Sequence, residues 1–377
     1  MTGRDALFAT CARGLEELLE AELGALGLAR VERRAGGVAF QGSRADAWRA
    51  NLHSAIAIRV LQQVAQFTAP DAERLREGVS RVDWQRFVRP DGTLSVRAHA
   101  RESALDHTLF VAQCAKDGIV DRLRADCGVR PDVDKDDPDL RVVVHLAGDR
   151  CRVAVDTTGE SLHQRGWRRY QGRAPLAETL AAALVRLSGW DRRAPLLDPF
   201  CGSGTILVEA ALWAAGAAPN ALRAQFAFER LPDHDAAAFE AFRAPLRARP
   251  VLPRKLRLWG ADLEPRHVEG ARENLGLLRL EEQVELEVAD AREFAPRAGW
   301  NAWVVSNLPY GERVGETRAV EALLEDFGRA LRERCAGYSA ALLCASPAHA
   351  ARLALPGAER RDFDNGGLPA SLVSARL

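Results

Sequence analysis

Lysine is nearly absent from this chain of 377 residues, occurring only at positions 116, 135 and 255. Lysine and arginine together number 52 and are matched by 52 aspartates and glutamates, so the net charge is zero. That balance excludes a uniformly basic nucleic-acid binder but leaves room for a local basic patch. The cations are almost all arginine, whose planar fork suits phosphates and base edges. A GC-rich genome explains the same bias without function and is the favoured reading. The seven cysteines include no Cys-x-x-Cys pair and are odd in number. Neither a zinc site nor a disulfide framework is indicated, and reduced, mostly buried thiols are expected. No apolar run reaches the roughly 18 residues a membrane helix needs. The start, Met1-Thr2-Gly3-Arg4-Asp5, lacks a signal-peptide pattern. The expectation is a cytoplasmic protein with no membrane association and no metal.

The length predicts two or three domains, and 47% hydrophobic residues are enough for sizeable cores. Leu15, Leu18, Leu19, Leu23 and Leu26 recur at helical spacing, which predicts a helix over 12–26. Gly36-Gly37 turns into a strand at Val38-Ala39-Phe40, and 55–67 reads as a further strand or a short buried helix. A second unit opens at Ala69-Pro70-Asp71. It contains a helix over 71–79, a strand over 94–98, a helix over 107–126, and strands over 141–146 and 151–156. The acidic loop 130–139 does not follow the order of a calcium-binding loop and has no glycine at its turn, so it reads as a solvated connection.

Residues 158–173 link the two halves. Arg165, Arg168, Arg169 and Arg173 interleave here with His163, Trp167 and Tyr170. That mixture suits phosphate contact and base stacking. It suits equally an interdomain strap whose aromatics pack on both sides.

From Pro175 the pattern alternates helices with apolar strands: helix 175–188, strand 195–198, helix 205–215, a charged helical insertion over 219–250, strand 256–262, a helix to 278, and strands 284–288 and 302–306. This alternation predicts an α/β, doubly wound, mostly parallel sheet. Ligands in such sheets bind beyond the carboxyl ends of the strands. Asp198, Asp262, Asp290 and Asn307 each close a predicted strand and are expected to converge there.

The run Asp198-Pro199-Phe200-Cys201-Gly202-Ser203-Gly204-Thr205 reads as a strand-to-helix loop. Its glycines let the backbone pass close to a ligand, and the helix N-terminus offers N–H groups to a carboxylate. A P-loop would need Gly-Lys-Ser/Thr, which is missing, and a nicotinamide fingerprint would need glycine near Leu207. Asp262 is placed to accept ribose hydroxyls, and Asp290 to accept an adenine amino group. Asn307-Leu308-Pro309-Tyr310 reads as a clamp for a planar amine. An aryl amine is a weak nucleophile, and acceptors for both its N–H groups, the Asn307 side chain and the Leu308 carbonyl, draw it toward tetrahedral geometry. Pro309 fixes the turn, and Tyr310 is suited to stack on an extruded base. An ordinary strand-terminating turn is the competing reading. Cys201 as the nucleophile of a covalent pyrimidine methyltransferase is disfavoured, because it lies in the cofactor loop.

These motifs match the Asn-Pro-Pro-Tyr class of S-adenosylmethionine-dependent methyltransferases. Ala9-Thr10-Cys11-Ala12-Arg13-Gly14-Leu15-Glu16, the 130–139 loop, Gly159 to Arg168 and Asn365-Gly366-Gly367-Leu368 narrow the match. Nearly the whole chain resembles the THUMP-containing RNA guanine-N2 methyltransferases, most closely the bacterial 23S ribosomal RNA type. The resemblance implies a C-terminal Rossmann-like methyltransferase domain over 175–377. Ahead of it lie N-terminal ferredoxin-like (1–65) and THUMP (66–157) α+β domains and a basic linker (158–174). It further implies S-adenosyl-L-methionine as methyl donor and RNA as partner, with Arg97, Arg101, Lys116 and Arg122 contacting phosphates beside the basic strap. Leu308 replaces the usual first proline. Asn-Leu-Pro-Tyr also resembles the tRNA guanine-N2 branch, so tRNA stands as the alternative substrate. An RNA-binding assembly factor with a residual pocket is the non-enzymatic alternative.

Overall fold

The computed structural model describes residues 5–172, 175–310, 314–365 and 368–377. Met1–Arg4, Arg173 and the Gly366-Gly367 pair lie outside the described residues.

The first half runs β1 (Asp5–Thr10), α1 (Glu16–Ala25), β2 (Ala29–Arg34), β3 (Gly37–Gly42), α2 (Arg44–His53), β4 (Arg59–Thr68), α3 (Ala72–Ser80), β5 (Thr93–Arg101), α4 (Thr108–Cys127), β6 (Asp132–Val133), β7 (Leu140–Ala147) and β8 (Arg150–Asp156). Local chemistry sets several ends. Ser43 and Asp46 form a reciprocal capping box on α2, Asp71 caps α3, and Gly128 ends α4 at φ 72°. The strand β2 has no counterpart in the sequence reading, because four of the six residues Ala29–Arg34 are charged. The 55–67 ambiguity resolves to β4.

These strands form one eight-stranded sheet in the order β2-β3-β1-β4-β8-β7-β5-β6. A domain boundary at 65/66 therefore falls inside β4, which pairs with β1 on one side and β8 on the other. Register carries the buried face straight across: Leu7 lies opposite Gln62, Gln62 opposite Val155, and Val155 opposite Val142. α1 and α2 cover that face at one end, and α3 and α4 at the other. The opposite face carries none of these four helices.

The second half runs α5 (Glu178–Leu187), β9 (Leu196–Asp198), α6 (Thr205–Ala214), α7 (Ala236–Arg243), β10 (Leu258–Asp262), α8 (Pro265–Leu277), β11 (Val284–Val288), β12 (Trp303–Asn307), α9 (Val314–Arg334), β13 (Ser339–Cys344), α10 (Pro347–Arg352), β14 (Glu359–Asn365) and β15 (Leu368–Arg376). The sheet order is β11-β10-β9-β12-β13-β15-β14, with the first five strands parallel. β15 and β14 add an antiparallel edge. The chain winds outward from β9 through β10 to β11, then crosses back to β12 on the other side of β9. The carboxyl ends of β9 and β12 therefore flank the topological switch point, where such sheets bind ligands. The 219–250 insertion is less helical than expected, holding α7 and two short 3-10 turns at Ala227–Arg230 and Ala244–Arg247.

One apolar core joins the two halves: Leu19, Leu23 and Ile56 pack in the same cluster as Leu180, Leu184 and Ile206. Fully buried within the link is Arg165, which donates to Glu209, Asn220 and the carbonyls of Ser54, Ala55 and Leu162. Trp167 is also fully buried. Neither side chain reaches a surface, which corrects their assignment to RNA contact: between the two readings of this link, these residues form the strap. Half-buried Arg168 donates to Glu178, Thr205 and the Leu176 carbonyl, so its fork is spent within the protein. Arg169 alone of the three stays exposed.

Candidate active site

The carboxyl edge of β9, β10 and β12 opens into a cleft of about 780 Å3 whose walls include Asp198, Asp262, Asp290 and Asn307. All four strand-end residues converge there. The turn after β9 enters α6 through Gly202 at φ 52° and Gly204 at φ 78°, a conformation that side chains other than glycine resist. No side chain caps α6, so its N-terminus keeps its own donors. Asn274 on α8 fixes this turn to the strap: its Nδ2 donates to the Ser203 and Tyr170 carbonyls, and its Oδ1 accepts from the Arg169 and Tyr170 N–H groups.

Asp198 is fully buried. Its Oδ1 accepts from the Ser306 hydroxyl at 2.5 Å and the Phe200 N–H at 3.2 Å. Its Oδ2 has no partner among the described residues. Burial, helped by the nearby Asp262 charge, outweighs those two hydrogen bonds and pushes its carboxyl up to about 7. Asp262 is more engaged than the sequence suggests. Its Oδ2 accepts from the Gly202 N–H at 3.0 Å, and its Oδ1 lies 3.0 Å from both the Glu264 N–H and His267 Nδ1. It thus pins the glycine turn as well as facing the cleft, and exposed Glu264 stands next to it on the wall. Asp290 lines the cleft, but both its oxygens accept from Arg292, which holds its carboxyl below the usual range. That pair is solvent-exposed and weak, so a ligand donor competes with it easily.

Within the loop, Pro199 is buried and Phe200 sets its ring edge-on against Phe327, at 5.0 Å between centroids. Burial raises the Cys201 thiol well above its ordinary value, so it is an inert packing residue. Ser203 and Thr205 place their hydroxyls 3.2 Å apart.

On the opposite wall, the Asn307 Oδ1 is buried without a partner among the described residues, while its Nδ2 donates to the Tyr310 hydroxyl at 3.3 Å. Leu308 drops its side chain into the core and donates its N–H to the Leu343 carbonyl at 2.9 Å. Pro309 and Tyr310 complete this wall. An unpaired buried acceptor costs about 1–3 kcal/mol. Two of them, on Asp198 and Asn307, flank the switch point and favour ligands that bring donors.

Several residues here escaped the sequence reading. Ser306 was signalled only by a hydroxyl within an otherwise apolar strand. His267 and Asn274 act through contacts between distant segments, which no local pattern marks; Tyr170, read as a strap aromatic, lines the cleft. The phosphate-contact residues expected in the first half do not share a face. Arg97 and Arg101 point outward from β5. Lys116 and Arg122 sit on α4 across the sheet, pairing with Asp117 and Asp126. In the acidic 130–139 loop, Asp137 is engaged by Arg230 and Asp139 by Thr93. Among the described residues no cluster of three metal-ligating side chains occurs, and no helix is long and apolar enough to cross a membrane.

A Gly-x-Gly turn at the switch point of a doubly wound sheet, facing an Asn-x-Pro-Tyr strand end, is the architecture of a methyltransferase domain. The chain belongs to the family of RMKL-like methyltransferase domains, whose model matches residues 165–370. The RlmL ferredoxin-like domain matches 6–61 and the THUMP domain 69–156. Ribosomal RNA large subunit methyltransferase K/L of Stutzerimonas stutzeri (strain A1501) is 39% identical over 386 residues, covering 100% of this chain and 53% of that protein. The chain thus spans about half the length of the curated relatives it matches. Among solved structures, a possible methylase from Clostridium difficile 630 superposes with a TM-score of 0.90 at 28% identity, covering 99% of this chain and 98% of that one. The crystal structure of SMU.472 complexed with SAH superposes at 0.87 and 30% identity, covering 100% and 99%.

Proposed function

We propose that this chain is a cytoplasmic enzyme that methylates the exocyclic N2 of guanine in structured RNA, most specifically 23S ribosomal RNA, with S-adenosyl-L-methionine as donor. The observation that carries this reading is the unpartnered Asn307 Oδ1 at the switch point, across one cleft from the uncapped glycine turn. The names of the K/L relatives support a large-subunit ribosomal RNA substrate. The SAH in SMU.472 supports the donor. Segments 1–65 and 66–157 would hold RNA, 158–174 would strap the halves together, and 175–377 would carry out transfer.

The residues fit the donor. The α6 N-terminus suits its carboxylate, the free Asp198 Oδ2 suits its ammonium, and Asp262 with Glu264 suits ribose hydroxyls. Asp290 suits the adenine amine once Arg292 yields. When bound, S-adenosylmethionine supplies a methyl on a positively charged sulfur. Asn307 Oδ1 and the Leu308 carbonyl accept the two N–H groups of the guanine amine and fix its lone pair toward that methyl. The amine meets Oδ1, so the Asn307 Nδ2 contact with the Tyr310 hydroxyl stays in place and fixes the amide's orientation, while the Tyr310 ring is suited to cover the base. No strong base is required, because alignment and preorganised acceptors do the catalytic work.

The test is methylation of purified ribosomal RNA against total tRNA, followed by nucleoside mass analysis. N2-methylguanosine appearing in 23S RNA is expected. Its appearance only in tRNA would move the substrate to the alternative branch. Calorimetry showing no S-adenosylmethionine binding would favour the assembly-factor reading.

A further inference from the structure

The bare face of the eight-stranded sheet takes no part in the transfer site. On β5, Arg97, His99 and Arg101 are exposed there; on β7, His145; on β8, Arg150 and Arg152; on β4, Gln66. Register sets His99 opposite His145, His145 opposite Arg152, and Arg152 opposite Gln66. The four form a row across four strands, roughly 14 Å wide at the usual strand spacing. The two imidazoles are stacked, with centroids 5.0 Å apart and planes 27° from parallel. The adjoining rows hold Arg97, Val143, Ala154 and Gln63 on one side and Arg101, Ala147, Arg150 and Thr68 on the other. No carboxylate stands in any of the three rows. Acids stand at the strand ends: Glu102, paired with Arg101, Asp149 in the β7–β8 turn, and Asp156, paired with Arg59. Arg141, also on β7, is paired with Glu160. Arg97, Arg150 and Arg152 have no carboxylate partner among the described residues.

We propose that this face grips the phosphate backbone of RNA through Arg97, Arg150 and Arg152, and that His145, stacked on His99, takes up a proton as the RNA seats. The proposal rests on RNA being the substrate, and it assigns the binding surface to the open sheet rather than to α4. A face on which Arg97, Arg150 and Arg152 stand without a carboxylate partner among the described residues is complementary to a polyanion. Stacked imidazole and guanidinium planes also offer platforms to unpaired bases. In the free protein, partial desolvation of the His145 ring where it stacks on His99, with the neighbouring His99 and Arg152 charges, holds it below its ordinary value. Phosphates arriving beside the arginines cancel that repulsion and favour the charged ring. Proton uptake on binding means affinity rises as pH falls through the titration of the bound form, then levels off below that of the free form.

The test uses the full chain and a fluorescent 23S RNA fragment, with anisotropy read from pH 8 to pH 6 and across salt. Tighter binding at pH 6 than at pH 8 is expected, by no more than about tenfold per pH unit for one linked proton. His99→Gln with His145→Gln should flatten the pH profile and leave the salt dependence. Arg97→Glu with Arg152→Glu should weaken binding and lower the salt slope by about two, one per lost phosphate contact. Unchanged melting and unchanged S-adenosylmethionine affinity establish that these variants fold. Wild-type affinity in the double arginine variant, or an unaltered pH profile in the double histidine variant, overturns the proposal. So does a concentration-dependent dimer that the arginine variant abolishes without loss of RNA binding. Transfer is scored separately. RNA held by this face but never methylated keeps the grip and removes the transferase reading. RNA methylated by the arginine variant with wild-type KM does the reverse.

Discussion

Replacing Arg165 by methionine removes a side chain that ties the first half, the strap and α6 together. The guanidinium is fully buried and its five N–H groups meet six acceptor atoms: two of Glu209 at 3.1 and 3.2 Å, one of Asn220 at 3.1 Å, and three carbonyls at 2.8 to 3.4 Å. Methionine matches much of the stem but leaves the buried Glu209 carboxylate without its counter-charge. Breaking one side of a buried ion pair costs about 3–5 kcal/mol. Glu209 is already raised above its ordinary value by burial, with Arg165 opposing the rise. Without Arg165 it rises further, and Glu209 escapes part of the penalty by binding a proton. The loss in urea stability should therefore be larger at pH 8 than at pH 5. Glu209→Leu added to Arg165→Met should recover part of it, because no buried charge is then left unpaired. A loss below about 1 kcal/mol at pH 8, or RNA affinity falling while stability holds, would refute the strap and restore Arg165 as an RNA contact.

Asn307→Ala should lower transfer by about 10²–10³, the usual cost of one preorganised contact, with RNA affinity nearly unchanged; collapse of RNA affinity would make Asn307 structural. Asp198 has a folded value of about 7 against 3.8 ordinarily, so between those pH values the folded state holds a proton that the unfolded chain releases. Stability of the ligand-free protein should then fall as pH rises from 4 to 7, by up to about 4 kcal/mol. Asp198→Asn should flatten that slope, and parallel urea profiles would refute the assignment. A Cβ at Gly270 would sit 2.0 Å from the Tyr170 ring. Gly270→Ala should therefore push the strap off the cleft wall, cost about 1–3 kcal/mol, and weaken S-adenosylmethionine binding in calorimetry.

Much of the second half was legible because β9, β10 and β12 are short, largely apolar runs closed by a polar residue. β11 was read with its observed ends, and Asp290, two residues beyond it, lines the same cleft as Asp198, Asp262 and Asn307. β2 was missed because an edge strand with both faces wet carries no alternation. The 219–250 insertion was overread because alanine and charge favour helix locally, whereas its buried Arg223 and Arg243 turn inward to backbone carbonyls.

Motif order, strand ends and the glycine turn are local properties, written in neighbouring residues, and the amino-acid sequence determined them unaided. The fate of each charged or aromatic side chain is not local. Arg165 and Arg97 look alike in sequence, yet one lies inside a joint between halves and the other on a bare sheet. Only packing between distant segments decides which of them water or a ligand can reach, and that was left to the tertiary structure.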